Sequence, residues 1–341
     1  MKKLVFSAIA LTLTSAPGFA SEDVWSQLDQ EVEALTSSLS LQGGGPSVSG
    51  WIATRYSSSS DIAIGASDLG GFTTTDARVI LTGSRGDFGY EVEWNAVGAG
   101  LLDAFVDFPV GGEVHGRLGM FKMPIGTLGG IDGNNMFFIN RSATGAVGAA
   151  RDTGVQFSGS FDQIGWELAA TNGGDGVGDE LSIGGRVAVD LTGDGANTSV
   201  EGAFGGSDDI GATASLSFYD DGAVTDGDGF AFDIHAGTNV YSVGFELFDI
   251  GDGVPAAKGA FDADSSPITF QGTYMLTPDT WELGFRFQDF DDAAETEITD
   301  LGVNRYVDGE GHNAKWSFAY MMAEAAAGDV DTLMVQLLLS M

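Results

Sequence analysis

From Val48 onward, apolar and polar side chains alternate in segments of about ten residues separated by Gly- and Asp-rich turns. The clearest segment places Tyr90, Val92, Trp94 and Ala96 on one face of a strand and Glu91, Glu93 and Asn95 on the other. One face suits lipid and the other suits water. Strands are expected at 47–56, 73–84, 87–97, 101–110, 113–122, 152–161, 164–172, 181–191, 198–204, 210–220, 229–238, 240–248, 267–276, 280–288, 312–321 and 331–341, which is sixteen to within about two. Turns such as Arg85, Gly86, Asp87 and Gly111, Gly112 are short, while other connections are long, Gly-rich and acidic, the usual asymmetry of a barrel. Outside the first twenty residues no apolar run reaches the roughly 18 to 20 residues that a spanning helix needs. The pattern predicts an all-β fold, a transmembrane antiparallel β-barrel whose sixteen or so strands enclose a water-filled lumen. The last strand carries Leu333, Val335, Leu337, Leu339 and Met341 on one face and should close the barrel against the strand near Val48.

Fixing each lipid face by its large apolar residues assigns the opposite residues to the lumen. Ala104, Val106 and Phe108 face out, so Asp103 and Asp107 face in; Val114, Leu118 and Met120 face out, so His115, Arg117 and Phe121 face in. By the same rule Arg78, Glu91, Glu93, Arg186, Asp233, His235, Glu246, Glu282 and Arg286 point inward. Charge on that face is the ordinary state of a water-filled barrel, and it also sets which solutes pass.

A different pattern opens the chain. Lys2 and Lys3, the apolar run 4–13 and the stretch Ala16, Pro17, Gly18, Phe19, Ala20 have the three parts of a secretory signal, with cleavage expected after Ala20. Trp25, Leu28, Val32, Leu35 and Leu39 then follow at spacings of 3, 4, 3 and 4, an a/d heptad seam that Gly43, Gly44, Gly45 and Pro46 end. Such a short amphipathic helix would either join copies of the chain or cap its own barrel, and the period fits both. The expected organisation is a signal peptide at 1–20, a periplasmic helix with a Gly-rich linker at 21–45, and the barrel at 46–341.

Composition narrows the function classes. Zero cysteines exclude thiolate metal sites, cysteine nucleophiles and a lipoprotein anchor. The formal charge is −35, and losing Lys2 and Lys3 takes it to −37, a surface that repels nucleic acid. Acids cluster in turns, at Asp220 with Asp221, Asp226 with Asp228, and Asp291 with Asp292. Oxygen-rich loops of this type bind Ca²⁺ weakly or let divalent cations bridge to lipopolysaccharide; Asp226 and Asp228 are the candidate ligands, although none of the clusters has the full EF-hand spacing. No other cofactor is expected. The bases Arg55, Arg78, Arg85, Arg117, Lys122, Arg141, Arg151 and Arg186 lie between positions 55 and 186, against Lys258, Arg286, Arg305 and Lys315 in the remainder. A cluster of arginine forks at a constriction favours anions, and Glu91, Glu93, Asp103 and Asp107 on neighbouring strands oppose it.

Residues 116–174 carry one family resemblance. Gly116-Arg117-Leu118-Gly119-Met120-Phe121-Lys122-Met123-Pro124-Ile125-Gly126 is followed by Phe137-Phe138-Ile139-Asn140-Arg141-Ser142 and by Ala150-Arg151-Asp152-Thr153-Gly154-Val155-Gln156-Phe157-Ser158-Gly159. This stretch resembles the phosphate-selective porin O and P family of trimeric, sixteen-stranded outer-membrane channels. The resemblance implies an inward-folding constriction loop at 123–150, basic pore residues at Arg117, Lys122, Arg141 and Arg151, and assembly by the barrel-insertion machinery. It also implies a homotrimer in the outer membrane of a Gram-negative bacterium, in contact with lipid and lipopolysaccharide and passing small hydrophilic solutes or ions. The chain departs from the family in its scarcity of Lys and Arg and its abundance of Asp. The 28 residues of 123–150 include the apolar Met136, Phe137, Phe138 and Ile139, which pack better inside a barrel than in water.

Two other classes are weighed. An enzyme finds little support, because His115, His235 and His312 are dispersed and no Ser lies in a recognisable nucleophile motif. A structural barrel would tie membrane to cell wall through its amino-terminal helix.

Overall fold

The computed structural model describes residues 45–60, 69–98, 100–174, 180–251, 264–307 and 310–341. The expected signal peptide and the heptad seam of Trp25, Leu28, Val32, Leu35 and Leu39 lie outside the described residues.

Sixteen strands form a closed barrel. They are β1 (Ser47–Ser59), β2 (Leu69–Arg85), β3 (Phe88–Asn95), β4 (Gly100–Gly111), β5 (Val114–Lys122), β6 (Arg151–Phe161), β7 (Ile164–Thr171), β8 (Ser182–Thr192), β9 (Gly211–Asp221), β10 (Asp228–Gly237), β11 (Tyr241–Ile250), β12 (Ile268–Thr277), β13 (Trp281–Asp289), β14 (Glu297–Tyr306), β15 (Ala314–Glu324) and β16 (Val330–Ser340). Each pairs antiparallel with its sequence neighbour, and β1 closes on β16 from Trp51 opposite Ser340 to Ser59 opposite Thr332. No edge is left unpaired.

The strand count matches the expectation, but two assignments within it do not. Residues 198–204 are irregular, with Gly202 at a φ of +109°, while the strand Glu297–Tyr306 was not expected from the sequence. The segment 198–204 alternates like a strand, yet Gly202, Gly205 and Gly206 let it coil. β14 hides because only Leu301 and Val303 mark its lipid face, while Asp300, Asn304 and Tyr306 on its other face are buried.

The wall is inverted relative to a soluble protein. Leu118, Leu216, Phe270, Tyr274 and Leu333 are exposed outside, whereas Asp233, Glu246, Glu282, Arg286 and Lys315 are buried within. Glycines on the lipid face sit directly opposite aromatic rings across the ladder: Gly83 opposite Tyr90, Gly116 opposite Phe108, Gly159 opposite Trp166 and Gly185 opposite Phe218. At Gly116 a Cβ would lie 2.5 Å from the Phe108 ring, so the ring covers the bare backbone of its partner.

Two connections fold inward from opposite ends. Short turns join β2 to β3, β4 to β5 and β6 to β7 at one end, where Gly86 and Gly112 take φ of +63° and +60°. The connection from β5 to β6 enters from the other end and carries helix α1 (Ala143–Gly148), capped by the Ser142 hydroxyl accepting from the Gly145 N–H. The 193–210 connection between β8 and β9 enters from the short-turn end. They meet inside: Glu201 Oε2 accepts the N–H groups of Phe137 at 2.8 Å and Phe138 at 3.1 Å, and the Glu201 N–H donates to the Asn135 carbonyl at 2.9 Å.

Phe137 is the knob that seats the first loop on the wall. It is 2% exposed and lies over Gly284 of β13 and Gly302 of β14, which face each other in register. A Cβ would stand 2.1 Å from its ring at Gly284 and 2.8 Å at Gly302. Gly284→Leu should therefore unseat the loop and cost about 1–3 kcal/mol by overpacking. Urea unfolding in lipid vesicles reads this, and wild-type stability in the variant would contradict the packing.

Candidate functional site

The inward loops fill one side of the lumen. Along β12 to β15 the wall is zipped to loop 123–150: Gln288 Oε1 accepts the Ala143 N–H at 2.7 Å, the Thr144 and Thr269 hydroxyls meet at 2.8 Å, and the Asn304 amide donates to the Phe137 carbonyl at 2.9 Å. Arg286 donates to the Asn140 carbonyl at 3.0 Å, pairs with Asp300 at 2.8 Å and lies 4.3 Å from the Phe138 ring centre. Lys315, fully buried, donates to the carbonyls of Asn134 and Met136. Glu246 of β11 accepts the N–H groups of Thr127 and Leu128 at 2.7 and 2.9 Å. These wall groups satisfy backbone donors and carbonyls that the loop would otherwise bury unpaired, which helps keep a non-helical segment stable away from water.

The other side stays open. A cavity of 400 Å³ lies between the loop and the inner wall and is lined by Glu91, Asp103, Arg117, Lys122, Asp132, Glu167 and Arg186. It shares Arg117, Gln156 and Glu167 with a 260 Å³ cavity, which shares His115, Ser158 and Glu167 with one of 550 Å³ beside Gly112 and Glu113 in the β4–β5 turn. A continuous polar path thus follows the inner faces of β4 to β8 down to the short-turn end.

The sequence-predicted pore residues fall into three positions. Arg117 and Asp107 flank the path, joined by a bidentate pair at 2.7 and 3.0 Å, with the guanidinium 3.7 Å from the Phe105 ring centre. Lys122 faces the same cavity but donates to the Gly130 carbonyl at 3.0 Å and to Asp132 at 2.7 Å. Glu93 behind the path and Asp103 at its edge are buried at 4% and 5% exposure; Arg78 pairs with Glu93 at 2.6 Å and Asp76 at 2.9 Å, and Arg151 with Asp103 at 2.8 Å and Glu93 at 3.7 Å. Arg141 is a staple inside the loop, donating to the carbonyls of Leu128 at 2.5 Å and Ile131 at 2.6 Å. Burial holds its guanidinium below the ordinary arginine value, with Glu201 opposing. Glu91 lines the cavity and makes no hydrogen bond or ion pair with a described residue.

Glu91, Glu93 and Asp103 are the group of three carboxylates whose oxygens approach within 4.8 Å of one another among the described residues. Arg78 and Arg151 already compensate two of them. Asp226 takes a φ of 55° in the β9–β10 turn and Asp228 opens β10, away from that group.

Sequence reasoning missed Glu201, which it placed in a strand, and Arg55, whose guanidinium donates to Asn140 of the loop at 2.7 Å. The glycines around Glu201 were the available signal that this stretch is a loop.

No family model matches the chain, and no curated protein matches it in sequence. Solved structures do match in fold. OprB of Pseudomonas putida has a TM-score of 0.63 at 8% identity, with 93% of this chain and 97% of that one covered. OmpF of Salmonella typhi has a TM-score of 0.60 at 11% identity, covering 88% and 99%. The outer membrane channel DcaP of Acinetobacter baumannii has 0.55 at 12%, covering 87% and 98%. The chain therefore has the sixteen-stranded barrel fold of outer-membrane porins.

The Arg151 pairing makes a direct prediction. Arg151→Met leaves Asp103 buried without its cation and should cost about 3–5 kcal/mol in unfolding free energy. Adding Asp103→Asn should restore most of that loss, and a double mutant no more stable than Arg151→Met alone would refute the pairing.

Proposed function

We propose that this protein is an outer-membrane diffusion channel for small hydrophilic solutes and ions, with a mild preference for cations. The observation that carries the reading is the unequal commitment of charges along the open path. Arg117 is matched by Asp107, Lys122 by Asp132, and Arg186 by Asp233 at 3.9 Å, with the Thr127 and Ser215 hydroxyls also accepting from it. Glu91 has no such partner, and Glu167 accepts only from the neutral Gln156 amide, at 2.9 Å. Fixed charge in a narrow, partly desolvated passage is screened less than charge on exposed loops, so uncompensated carboxylates there outweigh the field of the mouth.

The likeness to outer-membrane channels supports a Gram-negative outer membrane as the site of action, contacted by lipid and lipopolysaccharide. The family resemblance of residues 116–174 supports a homotrimer, with the heptad seam fitting either a join between copies or a cap on the barrel, and the barrel topology supports insertion by the assembly machinery. The phosphate or general anion preference that the sequence resemblance implies is the alternative. It requires Arg117 and Lys122 to exchange their carboxylate partners for solute.

Reversal potentials across a KCl gradient in planar bilayers separate these readings. Cation preference that weakens about twofold in Glu91→Gln is expected. Anion preference abolished by Arg117→Ala would establish the alternative. A barrel that conducts nothing would overturn the channel reading and leave the tethering role.

A further inference from the structure

The outer wall carries a cation that the lumen does not explain. Arg305 of β14 lies opposite Trp281 of β13 and Trp316 of β15, so the three side chains form one row across neighbouring strands. Alternation fixes the side on which they stand: Leu283, Leu301, Trp316 and Phe318 on that face are exposed outside, while Glu282, Asn304, Lys315 and Ser317 on the other are buried within. The row sits at the short-turn end, since Trp281 opens β13, Arg305 is next to last in β14 and Trp316 is third in β15. Every described Lys or Arg inside the barrel donates to a described acceptor. Arg85 is fully accessible to water in its turn, but Arg305 is half-buried and makes no hydrogen bond or ion pair with a described residue. Neither indole N–H of the row donates to a described residue either. Three unengaged donor groups, one of them charged, thus face outward together at the edge of the apolar band.

We infer that the row Trp281, Arg305, Trp316 binds the phosphate of an anionic glycerophospholipid in the leaflet at the short-turn end. The guanidinium fork matches two phosphate oxygens, a contact that a point charge makes less well. Indole rings settle at the level of lipid headgroups, where the N–H donates to an oxygen of the headgroup and the ring face meets the acyl chain. Charge along the same three strands selects the leaflet. At the long-loop end Asp289, Glu297 and Glu324 stand opposite one another on the same outward alternation, so an anionic headgroup is repelled there and drawn to Arg305. In outer-membrane barrels the short turns face the periplasm, which makes this the phospholipid leaflet.

The inference rests on the outer-membrane reading and is independent of conduction. Native mass spectrometry of the full chain in detergent, titrated with phosphatidylglycerol and separately with phosphatidylcholine, should show tighter binding of the first. Arg305→Gln should weaken phosphatidylglycerol binding about tenfold by removing a charge-assisted contact. Trp316→Leu should weaken it in the same direction, whereas Arg85→Gln, which removes the same charge from an exposed turn, should leave it unchanged. Heat-dependent gel mobility checks that each variant is a folded barrel. Equal binding of the two lipids, an equal affinity or an equal loss in Arg305→Gln and Arg85→Gln, or displacement of the lipid by an equal concentration of inorganic phosphate would overturn the site. A protein that conducts ions but binds the two lipids alike refutes the site alone; Arg305-dependent lipid binding in a barrel that conducts nothing refutes the channel alone.

Discussion

The structure depends on how a 28-residue connection survives inside a barrel. A helix satisfies its own backbone donors, but apart from α1 and a single 3₁₀ turn this loop is irregular, so its N–H groups need acceptors from elsewhere. Two glutamates supply them in pairs: Glu246 takes Thr127 and Leu128, and Glu201 takes Phe137 and Phe138. The pairs lie at separate points of the loop, one held from the barrel wall and the other from the second inward segment. Phe137 fits against facing glycines between these supports, and Arg141 ties the loop's two arms together. With the loop fixed against β11 to β15, the continuous polar path runs along β4 to β8.

That arrangement changes the meaning of the acidic composition. Many of the 49 acids have structural employment before any solute arrives. Glu201 and Glu246 accept backbone N–H groups, as Glu282 does from Ala203 at 2.6 Å, while Asp103, Asp107 and Asp300 pair with arginines. Others shape turns. Asp162, Asp226, Asp264, Asp279 and Asp291 all have positive φ, a conformation aspartate tolerates better than most side chains. Net charge is therefore a poor guide to the pore, and the few carboxylates left without a cation are the informative ones.

How much of this was legible in the sequence follows from which forces act locally. Strand alternation is imposed residue by residue by lipid on one side and water on the other, so the barrel, fifteen of its sixteen strands and the inward face of Asp103, Asp107, Arg117 and Phe121 could be read. The inward fold of 123–150 was legible because a run such as Met136 to Ile139 has no stable place in water. The fold of 193–210 was not, since Glu201 finds partners 63 and 64 positions away and the alternation of 198–204 mimics a strand. The difference between an arginine that faces solute and one that staples a loop is likewise a matter of long-range geometry. Arg117 and Arg141 look alike in sequence and occupy a path wall and a loop interior respectively.

The central claim is that one side of the lumen is sealed by the loops and the other is open. The chain has no native cysteine, so single Cys substitutions probe this directly. A charged, membrane-impermeant methanethiosulfonate reagent should modify Arg117→Cys and Glu167→Cys rapidly in folded protein, and leave Gln288→Cys and Asn304→Cys unreacted. Equal reactivity at all four positions, or faster reaction at 288 and 304, would contradict the account.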